Sequence, residues 1–224
     1  TNVWAIVEDT SYPYLRALGP TVEPEPPQTV QISSIEELQK IGNDPGYPWW
    51  WNYELVGDID ASDTENWDEG RGFKPIRLVG RLDGKRYKIR NLYISRAGEN
   101  SIGLIGVLGI GGEVKDLGLE DCEFVGYSNV GGLVGVNYSM VSRCYSSCLV
   151  TGNKVVGGLV GYNNRGTVLY CYSTGEASGE EKIGGLVGWN EYGEVRRCYS
   201  LCTVRSTRFY VGGLVGMNYS APVS

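Results

Sequence analysis

Four kinds of residue in this 224-residue chain could do chemistry: cysteines, clustered carboxylates, a series of tyrosines and a run of tryptophans. Histidine is absent. HExxH zinc sites, histidine-based triads and histidine-ligated metals all need an imidazole as base or ligand, so these classes are excluded. Carboxylates remain, and a pair of acids is enough to cleave a glycosidic bond. Asp58, Asp60 and Asp63 cluster, as do Glu120, Asp121 and Glu123. The first group reads D-x-D-x-S, with Glu69 at the last ligand position of an EF-type loop. The mid-loop glycine and the flanking helices that such a calcium loop needs are missing. A solvated turn or a hydrogen-bonded corner is the stronger reading. No catalytic, cofactor-binding or metal-binding residue is assigned.

The cysteines fall into two sets. Cys144, Cys171 and Cys198 are each followed by a tyrosine (Tyr145, Tyr172, Tyr199) and a serine. Cys122, Cys148 and Cys202 each stand two residues before Phe124, Val150 and Val204, with Gly175 where a fourth would be. The three tyrosines could form a ladder for stacking sugars, or could simply stack on one another and stabilise a sheet. In Trp49-Trp50-Trp51 alternation turns at least one ring outward, toward a binding or subunit contact or toward packing around a helix. Asn137-Tyr-Ser and Asn218-Tyr-Ser match the glycosylation sequon, which needs an accessible asparagine.

What must position these residues is a repeat. From Val130 the chain reads VGGLVGVNYSMVSRCYSSCLVTG, and close copies begin at Val156, Ile183 and Val211, giving periods of 26, 27 and 28. A degenerate copy begins at Ser101. Apolar residues alternate within a copy and no segment keeps helical spacing, so each copy is one coil of two or three short strands. Such coils stack about 4.8 Å apart, each covering the inner face of the next. The fold expected is all-β, a right-handed parallel β-helix with a short N-terminal capping helix. Stacking converts the repeat into columns. Asn137, Asn163, Asn190 and Asn218 would hydrogen-bond up the stack and tolerate a left-handed turn. Leu133, Leu159, Leu186 and Leu214 would be buried, and Cys144, Cys171 and Cys198 would point inward with their tyrosines outward. The glycine pairs 131/132, 157/158, 184/185 and 212/213 would mark corners. Stacked Cα atoms about 5 Å apart lie within disulfide range, so Cys122 and Cys148 are a candidate disulfide, with free buried thiols as the alternative.

Upstream, Ser33-SIEELQKI is the one persuasive helix: Ser34 and Glu37 make a capping box, and Ile35, Leu38 and Ile41 form one apolar stripe. It would plug the end of the solenoid, whose bare strand edge would otherwise aggregate. Leu82, Ile89, Leu92 and Ile94 are inward candidates in the first coils. The pattern GGLVGxN…GxV…CYSxGxV resembles the GLUG-motif repeat, and the stretch LxxDID…FxPI…GxLDGxxYxIxNLxI looks like the segment that introduces such arrays. The resemblance covers roughly residues 30–224. It implies a secreted β-helix of the kind found in surface and adhesin-like proteins and in the non-catalytic part of IgA-cleaving metallopeptidases, and it implies no reaction.

Residues 1–18 resemble the stretch that commonly ends a GLUG array, yet here they come first, followed by a Pro-rich linker over 19–29. Residues 30–100 hold the capping helix and first coils, and 101–224 the repeat coils. The chain reads as a mature protein or a segment of a longer one. Three arrangements stay open: residues 1–18 complete the last coil of a neighbour, fold back on their own last coil, or belong to an excised piece. The first would join Trp4, Ile6, Tyr12, Tyr14 and Leu15 of one copy to Val211, Leu214, Val215, Met217 and Pro222 of the next. The function expected is a structural subunit of an extracellular filament or surface appendage, a head-to-tail homopolymer without cofactor. A carbohydrate-binding or adhesive module of a larger surface protein is the alternative, with glycans as partners. A net charge of −6 gives nucleic acid no attraction, and no apolar run is long enough to span a membrane.

Overall fold

The computed structural model describes residues 27–219 and 223 in full, and residues 4–7 and 10–15 by their backbone. The chain winds into a parallel β-solenoid of about seven turns. Its strands form parallel sheets of five, six, seven and eight members, and neighbours within a sheet come from successive coils. One coil comprises Ser128–Gly131, Val134–Asn137, Met140–Ser142 and Tyr145–Thr151, and the next repeats the order from Lys154–Gly157. Each coil thus has four strands, where the sequence suggested two or three. In VGGLVG the backbone bends at the second glycine and the leucine, and what reads as one strand divides between two sheets. A Cβ on Gly184 would lie under 3.0 Å from Val187 O of its own coil and from Gly216 N of the next. Only hydrogen fits there.

The core is a set of columns. Leu133, Leu159 and Leu186 are fully buried, as are Val141, Val168 and Val195 beside them. Burying each leucine contributes about 1.5–3 kcal/mol. Leu82, Ile89, Leu92 and Ile94 point inward in the earlier coils.

Helix α1 (Ile35–Lys40) precedes the second strand of the seven-stranded sheet. Ser34 Oγ accepts from Glu37 N at 3.3 Å, as a capping box requires. The return bond differs: Glu37 Oε2 accepts from Ser33 N at 2.7 Å rather than from Ser34 N. Ile35, Leu38 and Ile41 are buried. Backbone strands Trp4–Val7 and Thr10–Leu15 pair antiparallel in a sheet of two. The side chains of Trp4, Ile6, Tyr12, Tyr14 and Leu15, most of the linker and Pro222 lie outside the described residues.

Candidate functional site

The two ends of the solenoid differ. At the N-terminal end, loops and side chains occupy the strand edges. The Gln39 side-chain amide both donates to Lys74 O (3.0 Å) and accepts from Lys74 N (2.8 Å), making the two bonds that a neighbouring strand would make. Residues 71–73 run antiparallel to 93–95, with Phe73 N donating to Tyr93 O and Ser95 N to Arg71 O. At the C-terminal end, Val211–Gly212 and Val215–Tyr219 begin a further coil, and Val223 bridges Val195 in parallel. Ile183, Leu186 and Val187 are fully buried, but their counterparts Val211, Leu214 and Val215 are not: Val211 is 51% exposed and the other two are half-buried, as is Met217. Leu201, Phe209 and Tyr210 are also exposed there. Cβ atoms on Gly132, Gly158 and Gly185 would each strike the carbonyl of the corresponding glycine one coil on; on Gly213 a Cβ would meet nothing within 4 Å. The sequence-derived interface residues among those described therefore share one end face.

Polar columns run up to that face. Asn137 Nδ2 donates to Asn163 Oδ1 (2.7 Å), Asn163 to Asn190 (2.7 Å) and Asn190 to Asn218 (2.8 Å). The ladder is as expected, but its residues are not in left-handed turns. That conformation falls on another column, Asp116, Arg143, Tyr170 and Arg197 (φ 51–55°), where the chain passes between sheets. The ladder also hides the first sequon, since Asn137 is fully buried.

Tyr145, Tyr172 and Tyr199 stack outward with centroids 5.0 Å apart and rings parallel within 3°. The Tyr145 hydroxyl donates to Glu120 Oε1 at 2.7 Å, while Lys88 Nζ and Arg90 Nε bond the same carboxylate at 3.1 and 3.0 Å. These donors, the tyrosine hydroxyl first, bring the Glu120 pKa down to about 2. Burial, and then the Glu120 contact, pushes the Tyr145 hydroxyl up. A carboxyl held this firmly ionised is poorly suited to donate a proton near neutral pH. Sequence reading singled out Glu120 but missed its partners, which stand 25, 30 and 32 residues away; the coil period itself could have found them.

The calcium-like group is dispersed. Asp60 Oδ1 accepts from Ser62 N (3.1 Å) and Asn91 Nδ2 (3.0 Å), and Asp58 Oδ1 accepts from Lys88 N (3.1 Å). Short 3-10 turns at Ser62–Asn66 and Asp68–Gly70 replace the loop that the spacing suggested. Trp49 is exposed and meets Trp50 edge-on at 5.7 Å.

All six cysteines are free thiols. Cys144 and Cys171 are buried, and each backbone N–H donates to the sulfur of the next coil (3.4 Å). Burial, with Cys144 adjacent, pushes the Cys171 thiol up; contact with Cys171, and then burial, does the same at Cys198. Cys122 and Cys148 are registered partners on adjacent strands, and Cys148 stands in turn over Gly175. The Cys148 contact, with burial, pushes the Cys122 thiol well above the ordinary range. Thiols held protonated, as at Cys122, Cys171 and Cys198, are weak nucleophiles and read as core.

Stacked coils with amide and tyrosine ladders define a β-solenoid repeat protein. Residues 152–178 match the GLUG motif. The chain is similar to Halomucin of Haloquadratum walsbyi, 41% identical over 131 residues, which make 55% of this chain and 1% of that protein. It is also 32% identical over 122 residues to a protein of Evansella cellulosilytica provisionally described as a Gly-rich membrane protein, covering 50% of this chain and 14% of the relative. The chain thus spans only a small part of these curated relatives. Among solved structures, one from Bacteroides ovatus, provisionally described as an immunoglobulin A1 protease, superposes with a TM-score of 0.70. The match covers 86% of this chain and 62% of that one at 21% identity, which speaks to the fold alone. No helix among the described residues is long and apolar enough to cross a membrane.

Proposed function

We propose that this chain is a non-catalytic structural element of an extracellular surface protein, which assembles end to end into a filament. In this reading the N-terminal strands of one copy, with Trp4, Ile6, Tyr12, Tyr14 and Leu15, complete the coil begun by Val211, Leu214, Val215, Met217 and Pro222 of the next. The observation that carries it is the end face, where residues whose counterparts are buried stand exposed and Gly213 faces open space. Bare strand edges invite pairing with another chain. Helix α1 would close the opposite end, with Gln39 supporting it by occupying the Lys74 backbone. Right-handed coiling accords with the hand of parallel crossovers. The GLUG resemblance and the membrane description of the Evansella relative favour the cell surface. In an oxidising compartment, Cys122 and Cys148 are the registered pair at which an inter-coil disulfide would form. The Glu120 ion cluster and the protonated thiols speak for support rather than chemistry.

Electron microscopy of the intact chain beside one lacking residues 1–18 tests the reading. Filaments from the first and none from the second are expected; equal polymerisation of both would refute it.

The adhesive alternative rests on the outward tyrosines and Trp49. Against it, Tyr145, Tyr172 and Tyr199 occupy one another's faces, leaving only the outer face of Tyr199 for a sugar. Specific binding on a glycan array, lost in Trp49→Ala, would favour it.

A further inference from the structure

Charge is distributed unequally along the solenoid axis. Residues 1–65 hold twelve acids against Arg16 and Lys40, residues 194–224 hold four arginines against Glu194, and the stretch between is within one charge of neutral. Among the described residues, the fold sets the two sides of this gradient at opposed ends. On the N-terminal side, Thr29–Ile32 is the edge of the seven-stranded sheet and Ile59–Asp60 the edge of the eight-stranded sheet. Glu36 and Glu37 lie on the helix directly after the first of these strands, and Asp58, Asp60 and Asp63 lie in or beside the second. On the C-terminal side, the same two sheets end in Glu194–Arg196 and, beside Tyr199–Ser200, in Thr203–Ser206, which carries Arg205.

The terminal arginines extend cross-coil ladders. Arg143 pairs with Asp116 one coil earlier at 2.6 Å, and Arg197 stands over the Tyr170 ring at 5.2 Å in the same column. Arg205 reaches back to Glu176 (3.1 Å) and Arg208 to Glu180 (3.3 Å). Arg205 and Arg208 remain 67% and 57% exposed despite these contacts. Each has its acid in the preceding coil, and the side toward the end face has no coil over it among the described residues.

We infer that the C-terminal face docks the acidic N-terminal end of a second copy, with Arg197, Arg205 and Arg208 steering the encounter. This rests on the end-to-end reading above and adds to it a direction: head to tail, with head-to-head and tail-to-tail contacts opposed by like charge. The reach of these charges falls from about 30 Å at 0.01 M salt to about 3 Å at 1 M, so the contact must be salt-sensitive.

Light scattering of the intact chain over that salt range provides the test. The association rate is expected to fall by about tenfold or more as salt rises. The combined variant Arg197→Glu, Arg205→Glu, Arg208→Glu should keep the wild-type circular dichroism yet fail to associate with itself at low salt. Mixing it with Glu36→Lys, Asp63→Lys, Glu65→Lys should restore association, because the reversed ends match again. Association indifferent to salt and to the reversals, or absence of rescue on mixing, overturns steering but leaves end-to-end assembly standing. No self-association at any salt overturns both. Association with added polyglutamate alone, never with another copy, assigns the face to an acidic partner instead.

Discussion

Replacing Asn163 by alanine removes the middle rung of the amide ladder. The side chain accepts from Asn137 Nδ2 and donates to Asn190 Oδ1, both at 2.7 Å, and to Gly166 O at 3.0 Å, with Asn163 fully buried. The partners fare unequally. Gly166 O still accepts from Glu194 N, and Asn137 Nδ2 still donates to Ser139 O, so each loses one bond of two. Asn190 Oδ1 is left without its donor from Asn163. An orphaned buried acceptor costs about 1–3 kcal/mol and each lost bond about 0.5–1.5, so the sum is roughly 4 kcal/mol. Asn218→Ala, at the exposed end of the ladder, removes the bond that its Oδ1 accepts from Asn190 and should cost about 1 kcal/mol. Urea unfolding followed by circular dichroism reads the difference. With a slope of about 1–3 kcal/mol per M, the Asn163→Ala midpoint should fall by more than about 1 M and the Asn218→Ala midpoint by much less. Equal shifts for the two variants would refute the ladder as a source of stability.

Other outcomes follow from the same geometry. The depressed Glu120 pKa means that its ion cluster stabilises the fold fully above the ordinary carboxyl range and loses that contribution as pH falls through about 2; Glu120→Gln should flatten the acid limb of a stability–pH curve, and an NMR titration placing Glu120 near its ordinary value would contradict this. Gly184→Ala pushes a methyl into Val187 O and should destabilise the monomer severely, whereas Gly213→Ala should leave monomer stability within about 0.5 kcal/mol and impair only assembly; similar melting temperatures for the two variants would count against the corner assignment. Leu186→Asp places an unpaired charge in the core and should leave no cooperative unfolding transition, so a native-like thermal melt would rule out the coil register.

The columns were legible in the sequence because each position recurs once per coil. Whatever holds for Leu159 holds for Leu186; the repeat placed the leucines inside, and alternation from the inward cysteines placed the tyrosines outside. The number of sheets was not legible, since the bend at Gly132 and Leu133 does not interrupt the apolar pattern. Nor was the left-handed column of Asp116, Arg143, Tyr170 and Arg197, whose side chains share no type. The N-terminal end was the least readable part. Gln39 meets Lys74 across 35 residues of non-repeating chain, and no period announces it. The Asp58 group misled for the opposite reason: its spacing fits a calcium loop, but the acids are taken by Lys88, Ser62 and Asn91.

The central claim is that the solenoid continues across its C-terminal face into another copy. Cryo-electron microscopy of the assembled chain at low salt tests it most directly. A strand ladder of about 4.8 Å should run unbroken through each junction, with residues 4–15 of one copy completing the coil begun by Val211–Tyr219 of the next. Single solenoids with residues 4–15 lying on their own last coil, or solenoids joined side by side, would contradict it.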